Sequence, residues 1–233
     1  MNIVPPANMK RPTQLPLAWP IVPVFSREQF IVSPSNADAL AFIEKWPDWT
    51  APVAALHGPP GCGKTHLASI WRAISGAEQL SAATLTMEAV RAECARVIED
   101  VDSTDPAPER DTALFAAIEN ARLHVPLLLT GVAPPSLWPC TLPDLSSRFS
   151  AVIALQLKNP DEGVLAGLAQ KLFADRQIPV SGDVIDHILR VLDRSPAALR
   201  EFVAKADAAA LAEARPVTVG LVRRLLADRP GGS

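Results

Sequence analysis

The chain lacks the features that would place it in several large protein classes. Its three cysteines, Cys62, Cys94 and Cys140, are scattered and have no metal-ligand spacing. Neither a disulfide framework nor a zinc site is therefore expected, and a reducing compartment is. No apolar run is long enough to cross a bilayer and no leader pattern opens the chain, so the expected location is cytoplasmic. Charge of one sign is also scarce. The net charge is −3 and the isoelectric point is near 5.8, which gives no general electrostatic reason to bind nucleic acid. Arg223, Arg224 and Arg229 near the end read as a solvated helix end. Internal repeats and low-complexity tracts are missing, apart from a proline-rich start and a Gly-Gly-Ser end. What is present is globular: 48% hydrophobic and 20% charged residues over 233 positions, enough for one larger or two small domains.

Pro5, Pro6, Pro12, Pro16, Pro20 and Pro23 crowd the first 24 residues. Proline fixes φ and removes a donor, so an extended tail is expected over 1–24. Folded structure is expected to begin between Phe25 and Val32. Ser35 reads as the N-cap of a helix with Asp38 in its first turn and Leu40, Phe42 and Ile43 along it. From Val53 short apolar runs alternate with helical stretches, the pattern of a parallel sheet flanked by helices. Strands are expected over 53–57, 78–81, 94–99, 125–131 and 151–157, with helices over 64–74, 86–92 and 109–123. Thr86 reads as the N-cap of the second of these helices, and the third places Leu114, Ile118 and Ala121 on one face. After residue 158 the strand signal stops. Asn159-Pro160-Asp161-Glu162, Ser181, Ser195-Pro196 and Thr218 each read as a helix start followed by apolar residues at spacing three and four. The expected fold class is therefore α/β, a base domain over 25–158, followed by a small all-α domain over 159–233.

The most informative stretch is Gly58-Pro59-Pro60-Gly61-Cys62-Gly63-Lys64-Thr65. It matches Gly-x4-Gly-Lys-Ser/Thr, follows the apolar run at 53–56 and precedes Leu67, Ile70 and Trp71 at helical spacing. That strand–loop–helix context makes it a phosphate loop. Glycines let successive N–H groups face one anion, and the new helix adds its positive end. Lys64 reaches the terminal phosphates in such a loop and the Thr65 hydroxyl ligates Mg²⁺. Residues 58–66, His66 included, are therefore the expected nucleotide-binding set, for ADP or ATP. Cys62 sits close to a helix start that could lower its pKa, or it is a small filler.

A phosphate loop needs an acidic partner at a neighbouring strand end to hold Mg²⁺ and orient water. Glu99 and Asp100 close the run 95–98 about 35 residues beyond Lys64 and are the candidates, with Thr65, for the metal. The order Glu-Asp is unusual at that place, and a longer Glu shifts the metal geometry. Thr130 ends the buried run Pro126–Leu129, either beside the γ-phosphate or as a strand cap. Arg148, in Leu142-Pro-Asp-Leu-Ser-Ser-Arg148-Phe149, reads locally as a surface arginine.

Taken in order, the phosphate loop, acidic strand end, Thr-Gly strand, Leu-Pro-Asp-Leu-Ser-Ser-Arg-Phe box and C-terminal helices resemble the AAA+ ATPases of the DnaA clade. Within that clade the likeness is to the regulatory inactivators of DnaA, from Gln14 to about Asp228. The resemblance implies an AAA+ P-loop NTPase base with a helical lid. It implies that Arg148 is an arginine finger, reaching the nucleotide of a neighbouring subunit. It implies that Gln14, Leu15, Pro16 and Leu17 form the peptide that docks on the DNA polymerase III β sliding clamp. The partners implied are the DnaA initiator and that clamp, with possible self-assembly. DnaA continues into a helix-turn-helix domain that is not matched here, so no sequence-specific DNA contact is expected. One departure is clear: the arginine that the clade carries early in its third lid helix falls on Ala197, with Arg194 and Arg200 three residues to either side.

These implications sum to a negative regulator of replication initiation, at most a weak ATPase itself, that stimulates hydrolysis of ATP held by DnaA. A DnaA-like adaptor or helicase loader without catalytic effect is the alternative. An independent phosphate-loop kinase or ATPase is a third reading, disfavoured by the Glu99-Asp100 order and by Ala197.

Overall fold

The computed structural model describes residues 25–227. The tail and its peptide Gln14–Leu17 lie outside them, as does the end from residue 228.

Five strands, β1 (Val53–His57), β2 (Glu78–Ser81), β3 (Arg96–Glu99), β4 (Leu127–Gly131) and β5 (Ile153–Gln156), form one sheet in the order β2-β3-β4-β1-β5. Every pairing is parallel. Between them run α1 (Ala37–Glu44), α2 (Lys64–Ser75), α3 (Pro108–Asn120) and α4 (Pro143–Ala151). Parallel strands need crossovers, and helices on both faces bury the sheet twice. The two-residue period of the strands divides the core accordingly. Ala55, Ile98, Leu127 and Leu129 face α3 and α4, packing with Leu114, Ile118, Leu145 and Phe149. Ala54, Leu56, Val97 and Leu128 face α1 and α2, packing with Ile43, Leu67 and a tryptophan pair. In that pair Trp49 stacks on Trp71 with centroids 4.9 Å apart. Fully burying side chains of this size contributes about 1.5–3 kcal/mol each.

The remaining helices, α5 (Glu162–Ala174), α6 (Gly182–Val191), α7 (Pro196–Glu213) and α8 (Val219–Ala227), close on a third cluster. It is drawn from their own residues and the segments between them, Phe173, Ile188, Phe202, Val203 and Val222 among them.

The strands fall where they are expected: β1 and β2 over the full spans, β3 and β4 two residues shorter at the start, and β5 two shorter at the start and one at the end. Four helix expectations need correction. Residues 86–92 form a turn instead of a helix: Thr86 Oγ1 accepts from Ala89 N at 3.3 Å, and Arg91 N then donates to Glu88 O at 3.3 Å. A helix this short needs a docked apolar face, and within it only Val90 is buried. The first helix begins at Ala37, with Asn36 and not Ser35 at the cap position; the Asn36 side chain makes no capping bond and its Oδ1 instead accepts from Ser33 N at 3.0 Å. The fifth begins at Glu162 and not after an Asn159 cap with Pro160 in the first turn, as the order Asn-Pro-Asp-Glu suggests, since Asp161 caps it by accepting from Val164 N at 2.9 Å. Helix α3 stops at Asn120 where Arg122 and Val125 exchange backbone hydrogen bonds of 3.0 and 2.9 Å, turning the chain into β4.

Candidate functional site

The phosphate loop leaves the carboxyl end of the central strand β1 and enters α2. Its three glycines carry left-handed or near-extended positive φ: 151° at Gly58, 79° at Gly61 and 109° at Gly63. At Gly58 the demand is steric as well. A Cβ there would lie 2.2 Å from the carbonyl oxygen of Leu157, which is backbone and cannot swing away. Gly58→Ala is therefore expected to displace the loop and abolish nucleotide retention. Nucleotide released on denaturing the purified variant, compared with the parent, measures it.

Lys64 is buried, and its Nζ donates to the carbonyls of Gly58 (2.7 Å) and Pro59 (3.2 Å), so the ammonium lies across the mouth of the loop. Thr65 is exposed on the first turn of α2. Cys62 is buried and contributes to the α1/α2 core. Burial pushes its thiol up, against the pull of Lys64 and the local amides, which favours the small-filler alternative over an activated cysteine. Burial likewise lowers His57, with the charge of Lys64 in the same sense and Asp102 opposed.

His66 has a part that the sequence did not reveal. Its ring lies between Phe25 and Phe30, at 5.2 and 5.0 Å between centroids, and its Nε2 is 2.8 Å from the carbonyl of Ser26. This ties the strap at 25–36 to the first turn of α2. The other side of the strap meets the C-terminal helices. Lys171 Nζ donates to Gln29 Oε1 at 2.7 Å, and Ile31 packs on Gly167 closely enough that a Cβ there would lie 3.0 Å away. Pro196, the first residue of α7, covers Gly61. Loop, strap, α5 and α7 thus converge at the carboxyl end of β1.

Beside this junction β3 and β4 end together. Glu99 shares the sheet face of Val97, the one covered by α2. Gln79 donates to its Oε2, while its Oε1 is buried with no partner. Asp100 is exposed with φ of 59°, and its N–H donates to Thr130 Oγ1 at 3.1 Å. Thr130, which is buried, therefore staples the two strand ends together. Asp102 was missed in the sequence. Its carboxylate accepts from Val132 N (2.9 Å) and Ala133 N (2.7 Å) and so shapes the turn after β4. The third acid in Glu99-Asp100-Val101-Asp102 was the available signal.

Among the described residues no cluster of three or more His, Cys, Asp or Glu could cage a metal. The oxygens of Thr65, Glu99 and Asp100 still suit Mg²⁺, which takes one or two carboxylates and completes its shell with phosphate and water. The orphaned Glu99 Oε1 is the observation that fits such a use.

Arg148 lies at the other edge of the sheet. It sits in the last turn of α4, which leads into the amino end of β5, and is half-exposed. Its Nε is 2.8 Å from Glu119 Oε1, near the end of α3. Lys64 follows the carboxyl end of β1, so a sheet-length of about 13–17 Å separates the two levels. Of the arginines flanking Ala197, Arg194 turns to Glu162 (3.8 Å). Arg200 makes no hydrogen bond or ion pair among the described residues. Partial desolvation lowers its pKa, and its charge bears on His66.

Among solved structures, domain III of the replication initiator DnaA from Thermotoga maritima superposes with a TM-score of 0.72, at 19% identity over 90% of this chain and 98% of that one. The chain has a DnaA-like AAA+ fold. AMPPCP-bound DnaA from Aquifex aeolicus gives 0.66 at 15% identity, over 86% of this chain and 68% of that one. The Thermotoga maritima RuvB Holliday junction branch migration motor gives 0.68 at 18%, over 88% and 72%. No protein-family model and no curated protein matches the chain. No helix among the described residues is long and apolar enough to cross a membrane.

Proposed function

We propose that this chain is an Hda-type negative regulator of replication initiation. It holds ADP or ATP with Mg²⁺, is tethered to the DNA polymerase III β sliding clamp through Gln14–Leu17, and lends Arg148 to ATP bound by DnaA. The observation that carries the reading is the placement of Arg148. Its half-exposed guanidinium, held only by an open ion pair to Glu119, lies on the amino-end edge of the sheet, remote from its own phosphate loop, where a second subunit can meet it. An arginine so placed serves another protein's triphosphate and leaves its own alone.

The chain's own nucleotide then has a structural part. When bound, it supplies phosphate charge for Lys64 and the loop amides and an acceptor shell for Mg²⁺. Lys64 leaves the carbonyls of Gly58 and Pro59 to meet the phosphates, and Thr65 with Glu99 or Asp100 holds the metal. Thr130 keeps the strand ends in register. The strap and α5 shut water from the base side, and α7 sits over the loop. Arg200, which has no ion-pair partner among the described residues, is the better placed of the two flanking arginines to approach the phosphates in place of the missing residue at Ala197. Arg194 has only a loose 3.8 Å contact with Glu162. Turnover by the chain alone is weak on this reading, because Glu99 stands where a shorter Asp would hold the metal more closely.

Conversion of DnaA-bound ATP to ADP in a mixture of DNA-loaded clamp and the intact chain tests the proposal. Stimulation is expected with the intact chain and is lost on deleting residues 1–24, as is clamp capture in a pull-down. Clamp capture that survives the deletion refutes the tether. An intact chain that captures the clamp without accelerating hydrolysis is an adaptor instead.

A further inference from the structure

Arg148 is held at one point, and the residue that holds it stands where helix electrostatics disfavour an acid. Glu119 lies in the last turn of α3, one residue before its end at Asn120. Unpaired carbonyls give that end partial negative charge, so a carboxylate there is repelled and a cation is preferred. No basic residue occupies that turn. The carbonyls of Glu119 and Ala121 are instead taken by Arg122 Nη1, both at 2.7 Å. The Glu119 carboxylate therefore gives its own helix no electrostatic support. Among the described residues it has one partner, Arg148, whose Nε stands 2.8 Å from Oε1.

The backbones that carry this pair are fixed by packing. Ile118, beside Glu119, and Phe149, beside Arg148, are buried in the one cluster shared by α3, α4 and the sheet. Ala117 and Leu145 anchor the same two helices in it. What keeps its freedom is the long side chain of Arg148, rich in rotamers. Glu119 meets it at Nε, the inner nitrogen. The two terminal nitrogens make no hydrogen bond among the described residues. Those are the nitrogens that reach furthest, and the guanidinium fork grips phosphate oxygens two at a time. An open pair of this kind adds little to stability. Ordering the side chain before the partner arrives, by contrast, lowers the entropy lost on contact.

We propose that Glu119 is the positioning residue of Arg148, bracing the guanidinium at Nε so that its terminal nitrogens are presented to the partner's triphosphate. The inference rests on the reading of Arg148 as a residue lent to ATP held by DnaA. Glu119 touches neither that ATP nor the reacting atoms, and acts through Arg148 alone.

Hydrolysis of DnaA-bound ATP, followed against the concentration of the intact chain with DNA-loaded clamp present, separates orientation from docking. Glu119→Ala is expected to lower the maximal stimulated rate about fivefold, the most that an exposed pair supplies. The half-saturating concentration is expected to stay the same. Glu119→Gln keeps an oxygen at the same reach and is expected to recover part of the loss. In an Arg148→Ala background neither substitution has a further effect, because the brace then has nothing to hold. Thermal melting of Glu119→Ala is expected to match the parent, since relief of the helix-end repulsion offsets the lost pair. A maximal rate equal to the parent's, or above it, overturns the brace and leaves the reading of Arg148 standing if Arg148→Ala is inactive. A shift in half-saturation alone makes Glu119 a docking contact and overturns the brace as well. Should Arg148→Ala itself stimulate like the parent, the reading of Arg148 fails and the brace falls with it.

Discussion

Replacing Arg148 with alanine is expected to return hydrolysis of DnaA-bound ATP to the rate DnaA shows alone, a loss of about 10³-fold or more in the stimulated rate. On the proposed role the guanidinium would neutralise charge on the transferred phosphoryl group in the transition state, and alanine offers no donor. Arg148→Lys is expected to rescue little, because a single ammonium lacks the planar fork. The loss is not a folding defect. The partner of Arg148 is Glu119, with side chains 51% and 41% exposed, and an ion pair this open contributes at most about 1 kcal/mol. Thermal melting should therefore be nearly unchanged, as should retained nucleotide and clamp capture. Phosphate release from preloaded DnaA-ATP, with DNA-loaded clamp present, measures the effect. Hydrolysis that continues undiminished with Arg148→Ala would sink the assigned role.

The contrast between Arg148 and Lys64 shows what the sequence could carry. The place of Lys64 in a strand–loop–helix turn was legible because its motif is contiguous and that geometry is set by neighbours in the chain. The strands were legible too, since unbroken apolar runs such as Val53–Leu56 and Leu127–Leu129 match a doubly covered sheet. Arg148 carries no such local mark, and its meaning depends on which edge of the sheet α4 reaches. His66 was legible only as part of the loop. Its contact with Ser26 and the two phenylalanines joins residues forty positions apart, and no periodicity encodes that. The failed helix at 86–92 has the opposite cause: its cap signal was real, but the segment has no apolar face to dock. Asp102 was visible as a residue and invisible as a role, because the N–H groups of Val132 and Ala133 come from another strand end. Arg194 and Arg200 were equivalent in sequence and are distinguished only by a loose contact of Arg194 with Glu162.

The largest expected effect on stability belongs to a carboxylate far from every motif. Asp111 is fully buried in the first turn of α3. It accepts from the Thr141 hydroxyl at 2.8 Å and from Thr141 N, and from Arg110 Nε and Nη2 at 2.8 and 2.6 Å. Arg110, itself buried, also donates to the carbonyls of Thr104 and Pro139, each at 2.8 Å. The pair therefore ties the segment after β3 to the segment after β4, the two connections that flank the strand ends at Asp100 and Thr130. Asp111→Ala would strand the Arg110 charge without a counter-ion, and breaking a buried pair from one side costs about 3–5 kcal/mol. That is a large share of the roughly 5–15 kcal/mol by which domains are stable. Burial alone would raise the Asp111 carboxyl, but the Thr141 and Arg110 hydrogen bonds outweigh it and hold it below the usual carboxylate range. A folded pKa below the unfolded value contributes stability that is present above about pH 4 and is lost as pH falls through the folded pKa. Asp111→Asn, which cannot titrate, should therefore be much less stable than the parent at pH 7, and the gap should narrow below about pH 4. Urea unfolding of both proteins across that range measures it, and a gap that stays constant with pH would show that the charge on Asp111 is not what holds the two segments together.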